Sequence, residues 1–172
     1  MSNNVIRNSI VFYTDGSSLG KPKKKGKRAA GCGVFFAPND PRNYGGALGP
    51  DPQTNQRAEL AAIWEGLTRI KFTDHATIYT DSEYAMFAPT SRYYTQKRNS
   101  WKTPEGKPVP NIDLIEPIFQ LLVLRKASGA TTDLRWLKGH SGYPGNEAAD
   151  RLAAEGAEYV VKSCIQAPDY GH

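Results

Sequence analysis

The chain has 172 residues, 39% of them hydrophobic, which suits a single domain with a substantial core and argues against wholesale disorder. No apolar run approaches the ~20 residues that cross a bilayer, and the opening MSNNVIRNSIVFYTDG lacks the basic start and apolar stretch of a secretion signal. The expectation is therefore an intracellular protein, cytoplasmic or nuclear and not secreted, with no membrane partner. Net charge is +5, from 22 basic and 17 acidic residues, and Cys32 and Cys164 stand apart from any Cys/His cluster, which reads as two reduced thiols and argues against zinc.

In chain order, residues 9–13 (SIVFY) predict a strand that ends in a turn at Thr14-Asp15-Gly16. Lys21, Lys23, Lys24, Lys25, Lys27 and Arg28 then crowd into a polar loop, which reads as a solvated segment, a nucleic-acid contact or a nuclear-import signal. Residues 29–37 and 43–48 predict two more strands around a turn at 38–41, making an antiparallel meander whose glycines suit close backbone packing. Thr54 caps a helix over 55–70, in which Leu60, Ile63, Trp64, Leu67 and Ile70 recur at helical spacing. Residues 76–80 predict a strand ending at Asp81, and Ser82 opens another helical stretch.

Residues 89–110 are polar, basic and proline-bearing, and predict short helical turns and a protruding loop. Within them Arg92, Lys97, Arg98, Lys102 and Lys107 alternate with Tyr93, Tyr94 and Trp101. Cations neutralise phosphates and rings stack on bases, so the mixture suits a nucleic acid. A helix over 113–126, a strand over 133–137, a glycine-rich loop over 139–145 and an alanine-rich helix over 146–159 follow, and the last dozen residues carry no pattern. The order βββ-α-β-α-α-β-α implies one α/β domain with a mixed sheet flanked by helices.

The acids fall at suggestive places. Asp15 ends the first predicted strand and Asp81 the fourth; if those strands are parallel neighbours, both carboxylates leave the sheet at one edge, where ligand sites form. Glu59 projects from the first turns of the intervening helix and Asp150 from those of the last helix, so four acids from four elements converge. Like charges a few Å apart raise each other's pKa and oppose folding, a penalty that a bound divalent cation removes. An all-carboxylate set points to Mg²⁺ or Mn²⁺ over Zn²⁺. Two such ions about 3.5–4 Å apart activate water and stabilise the leaving oxygen of a phosphodiester. Each acid alone has an ordinary reading as well: a turn at Asp15-Gly16, a helix cap at Asp81-Ser82, a helix-surface acid at Glu59 or Asp150.

The flanking residues decide between these readings. Tyr13-Thr14-Asp15-Gly16-Ser17, Thr54-Asn55-Gln56-Arg57-Ala58-Glu59-Leu60, Tyr79-Thr80-Asp81-Ser82, and Gly139-His140-Ser141-Gly142 through Asn146-Glu147-Ala148-Ala149-Asp150 closely resemble type 1 ribonuclease H, in that family's order and at compatible spacing. The resemblance runs over about residues 9–157. It implies the ribonuclease H-like α/β fold, a five-stranded mixed sheet in which an antiparallel meander joins parallel strands. It also implies an endonuclease that hydrolyses the RNA strand of RNA–DNA hybrids, leaving 5′-phosphate and 3′-hydroxyl ends.

Carried over by residue, Asp15, Glu59, Asp81 and Asp150 match the metal-binding carboxylates, holding two Mg²⁺ ions with Mn²⁺ as a substitute. Asp15 is expected to bridge both ions, with Glu59 and Asp81 on the leaving-group side and Asp150 on the water side. His140 matches a mobile histidine that assists proton transfer or product release, a role suited to an imidazole titrating near neutrality, and Glu147 matches an accessory acid. Ser17, Ser18, Asn55 and Gln56 are expected to sense the 2′-hydroxyl that tells RNA from DNA. Thr54 and Asn111 match a phosphate pocket for the DNA strand, although each also reads as a helix cap. Tyr84 matches a DNA-channel aromatic, and Trp101 and Lys102 match the basic handle. Arg92 and Gln96 stand where cellular members often place handle tryptophans, with Tyr93 and Tyr94 adjacent as substitutes, and Pro52 stands where an arginine is frequent. The expected layout is a tail at 1–8, a catalytic domain at 9–160 with its handle at about 89–110, a tail at 161–172, and a monomer in solution.

Overall fold

In the computed structural model, which describes residues 6–19, 29–49 and 52–165, strand β1 (Ser9–Ser18) runs five residues past its apolar stretch. Its first part pairs parallel with β4 (His75–Thr80), from Ser9↔His75 to Thr14↔Thr80. Its second part pairs antiparallel with β2 (Ala30–Phe35), from Tyr13↔Phe35 to Ser18↔Ala30. The turn expected at residues 14–16 is therefore strand. Those residues are polar or glycine and carry no strand signature of their own; the ladder to β2 holds them extended. β3 (Tyr44–Ala47) extends the meander and β5 (Thr132–Trp136) pairs parallel with β4, giving the order β3-β2-β1-β4-β5. The five-stranded mixed sheet expected from the resemblance is the one observed.

The two faces of the sheet are packed differently. On one, Phe12 and its register partner Ile78 are wholly buried under α1 (Asn55–Thr68) and α4 (Ile112–Ala127), with Leu60, Ile63, Ile115 and Ile118. Thr54 caps α1 as expected, its hydroxyl accepting from the Arg57 backbone N–H at 3.2 Å. On the other face lies α5 (Pro144–Ile165), seated on glycine: a Cβ added at Gly33 would stand 2.0 Å from the Ala149 carbonyl oxygen, and one at Gly31 2.3 Å from that of Ala153. Ala149, Ala153 and Ala157 are fully buried in return. α5 begins at Pro144, two residues before the expected start, because proline is at home in a first turn that needs no N–H donor. It ends at Ile165, five residues into the stretch expected to be tail.

Residues 83–110 leave the sheet. Ser82 caps α2 (Glu83–Phe87), and α3 (Tyr93–Arg98) ends in two residues of left-handed backbone, Ser100 and Trp101. The chain then folds back through a Lys102–Pro108 bridge. Tyr93 is wholly buried, stacked on Phe119 of α4 with ring centroids 3.5 Å apart, and Trp101 meets it edge-on at 5.3 Å. Among the described residues no helix is long and apolar enough to cross a membrane. The lysine-rich segment 21–28 and residues 166–172 lie outside the described residues, as does the side chain of Cys164; Cys32 is a buried free thiol.

Candidate active site

The parallel ladder ends at Thr14↔Thr80, and the next residues on the two strands are Asp15 and Asp81. There the strands part. β1 continues along β2, while the other chain turns into α2 behind Ser82, whose Oγ accepts from the Ala85 N–H at 3.1 Å. The fork opens a polar cleft of about 380 Å³ lined by Asp15, Gly16, Ser17, Ser18, Asn55, Glu59, Asp81, His140 and Asp150. Glu59 reaches it because α1 lies directly on β1, where a Cβ at Gly16 would stand 2.4 Å from the Glu59 nitrogen. Asp150 reaches it because Gly33, the register partner of Asp15, draws Ala149 against the sheet. The four acids are thus gathered by four elements.

Their mutual cost is visible in Asp15, which is 7% exposed. Burial first, then the charge of Asp81, pushes its carboxyl up to about 8; a hydrogen bond from the Gly16 N–H at 2.7 Å opposes the rise, and Asp150 and Glu59 add to it. Burial likewise pushes Glu59 up, against the pull of the Ser82 hydroxyl and the Asn55 amide, both of which donate to it. Among the described residues no group of three or more His, Cys, Asp or Glu side chains is drawn together tightly enough to hold an ion as placed. The donor set nonetheless fits a hard divalent cation: every candidate ligand is a carboxylate oxygen, and the charge of the buried one is disfavoured by burial first and by neighbouring acids second, the part that a cation would offset.

The remaining expected residues divide. Ser17, Ser18 and Asn55 line the cleft, and His140 stands exposed at its rim in left-handed backbone, φ 51°. Gln56 and Glu147 are exposed and outside the lining. Thr54, Tyr84 and Asn111 form a neighbouring cluster around Arg57, which the sequence reading passed over. Arg57 donates to Asn111 Oδ1 at 3.5 Å and to Asp113 at 2.8 Å, and Asn111 donates to the Tyr84 hydroxyl at 3.0 Å. Asn111 occupies the cap position of α4 but makes no side-chain cap bond. Trp101 is half-buried with its ring edge-on to Tyr93, and Tyr93 itself is core, leaving Tyr94 as the most exposed ring of the handle and Lys102 as an exposed cation. Two further residues missed from the sequence, Trp136 and Asn146, touch Asp81. Their signals were their places: Trp136 ends the strand beside β4, and Asn146 lies one helical turn before Asp150.

A mixed sheet in this order, with four acids at the fork between its first and fourth strands, defines the class of ribonuclease H-like nucleases. The sequence pattern of the RNase H family matches residues 7–158. Ribonuclease H of Albidiferax ferrireducens is 36% identical over 157 residues, covering 90% of this chain and 98% of that protein. Ribonuclease H of Schizosaccharomyces pombe is 43% identical over 147 residues, covering 86% of this chain and 52% of that protein, so this chain spans about half of the yeast relative. A foamy viral protease-reverse transcriptase solved in complex with RNA/DNA hybrid shares the fold, with a TM-score of 0.67 at 21% identity over 92% of this chain and 22% of that one. The chain belongs to the ribonuclease H family and is an endonuclease of that kind.

Proposed function

We propose that residues 9–160 form a catalytic unit that hydrolyses the RNA strand of RNA–DNA hybrids in the cleft of Asp15, Glu59, Asp81 and Asp150, leaving 5′-phosphate and 3′-hydroxyl ends. The observation that carries this is the convergence of four carboxylates from four elements on one polar cleft, in a chain of this family. Asp15, Glu59, Asp81 and Asp150 would hold Mg²⁺, with Mn²⁺ as a substitute. Two such ions, when bound, supply an activated water and stabilise the leaving 3′ oxygen.

The chain's own groups do the rest. Asn55 and Ser82 donate to Glu59 and fix the direction of its carboxylate. His140, exposed on a glycine-bounded loop, takes and returns a proton at its imidazole. Ser17, Ser18 and Asn55 present hydroxyl and amide groups to the cleft, where a ribose 2′-hydroxyl is recognised by hydrogen bonding. Thr54, Tyr84 and Asn111 offer polar atoms beside it for the DNA strand, and Lys102 supplies positive charge from the handle. In the same reading the chain acts inside the cell as a monomer.

The test is cleavage of an end-labelled RNA–DNA hybrid with Mg²⁺. Wild type is expected to cut the RNA strand alone and Asp81→Asn to bind without cutting. Intact hybrid with wild type, under conditions where both proteins bind it equally, would overturn the assignment.

A further inference from the structure

Asp81 is gripped from three directions by the stretch that runs from the end of β5 to the first turn of α5. Trp136, the register partner of Thr80, donates its indole Nε1–H to the Asp81 main-chain carbonyl at 3.1 Å while remaining 49% exposed. The next residue, Leu137, donates its backbone N–H to the Thr80 carbonyl at 3.0 Å, so the exit of β4 is tied at two successive carbonyls. Gly139 crosses so near that a Cβ there would stand 2.3 Å from Asp81 Oδ2. Asn146, in the first turn of α5 and 2% exposed, donates Nδ2 to that same Oδ2 at 3.5 Å, the outer limit of a hydrogen bond.

The other half of the Asn146 amide is informative. Its Oδ1 is buried without a hydrogen-bond partner. Buried acceptors are nearly always matched, and one left open beside a ligand set marks a place where an arriving water or ion completes the bonding. Nδ2 therefore steers the carboxylate, and Oδ1 is left for a donor other than the described residues.

We infer that Asn146 and Trp136 are positioning residues for Asp81: Trp136 anchors its main chain and Asn146 orients its carboxylate. The inference rests on the carboxylate cleft being the cation site. Hydrogen-bond partners of ligating carboxylates are worth about 10–100-fold in metal affinity or activity.

The experiment uses the full chain as wild type, Asn146→Ala, Trp136→Phe and Asp81→Asn, with three readouts: calorimetric titration with MgCl₂ in the absence of hybrid, kcat and KM on a hybrid across Mg²⁺ concentrations, and thermal melting. Asn146→Ala is expected to weaken Mg²⁺ binding about tenfold and to lower kcat to match at limiting Mg²⁺. KM for the hybrid should stay unchanged, and excess Mg²⁺ should restore the rate, whereas it does not rescue Asp81→Asn. Trp136→Phe is expected to show the same pattern at a few-fold. Unchanged Mg²⁺ affinity and kcat in Asn146→Ala overturns the inference, as does a kcat loss that no Mg²⁺ concentration restores. If melting shows Asn146→Ala unfolded, Trp136→Phe, which keeps an aromatic ring and removes the N–H, decides by the same criteria. A wild-type chain that neither binds Mg²⁺ nor cuts hybrid fails at the catalytic reading itself, a result distinct from a competent wild type with indifferent variants.

Discussion

In the cleft, the acids hang from a strand, from the residue just past a strand, and from two helices, and their positions follow from backbone pairing and close contact: Asp15 opposite Gly33, Asp81 one step past Thr80, Asp150 one residue beyond the helix atom that presses on Gly33. In the handle, residues 92–107, nothing is held by a sheet. Tyr93 turns inward onto Phe119 with Tyr94 and Trp101 packed edge-on around that pair, and the handle's cations are left at the surface. The cleft gathers like charges and lowers stability; the handle gathers rings and raises it. Chemistry is placed by the most rigid part of the backbone at an electrostatic cost, while the binding surface is placed by side-chain packing at little cost.

The largest effect that would break this contrast is at Asp15. Asp15→Asn is expected to reduce hybrid cleavage by at least about 10³-fold, as removal of a core catalytic group does, and to stabilise the metal-free protein. The sign follows from its pKa, about 8 in the fold against an ordinary 3.8. The unfolded chain releases this proton first, so the contribution of Asp15 to stability is full below about pH 4 and is lost as pH rises toward 8. In chelator, melting of wild type and Asp15→Asn should coincide near pH 4 and diverge by several degrees at pH 8, with the variant higher. Superimposable curves at pH 8 would mean that neither burial nor the neighbouring acids penalises the Asp15 carboxylate.

Next comes the seat of α5. Gly33→Ala forces a methyl group onto the Ala149 carbonyl and is expected to cost about 1–3 kcal/mol or more, a fall in melting temperature of about 2–4 °C per kcal/mol for a chain this size. Activity should drop further than stability alone accounts for, because Asp150 moves with the helix. Specific activity of the folded fraction, measured well below the melting point, separates the two.

A smaller effect is expected in the handle. Trp101→Ala removes a half-buried ring from Tyr93 and should destabilise by about 1–2 kcal/mol, less than the loss of a fully buried tryptophan. It should raise KM for hybrid while leaving kcat within about twofold, the kinetic form of a lost binding interaction. An equal fall in kcat would erase the division between the regions. Smallest is Lys102→Ala, expected to leave kcat alone and to reduce the salt slope of hybrid binding by about 1, read from binding titrations at several ionic strengths.

What was legible in the sequence follows the same division. Helix α1, its Thr54 cap and Glu59 were readable because helical spacing and capping are local properties. Asp81 was readable because an apolar run ends in front of it. Extension of β1 through Asp15 was not, since residues 15–18 are extended only by their ladder to β2, a partner some fifteen residues away in sequence. Asp150 was named from its motif, but the contact that brings it in was hidden, for it depends on Gly33 lacking a side chain beneath a helix more than a hundred residues downstream. Tyr93 looked like a surface ring because composition counts aromatics but not their direction; its ring is wholly buried on Phe119.

The double pairing of β1 reaches beyond geometry. Side chains alternate across a strand, so a slip of one residue would send Asp15 to the opposite face, among the apolar residues that Phe12 occupies now. No intermediate register offers a weaker version of the cleft. A copy of this chain paired in the wrong register is accordingly an inert one.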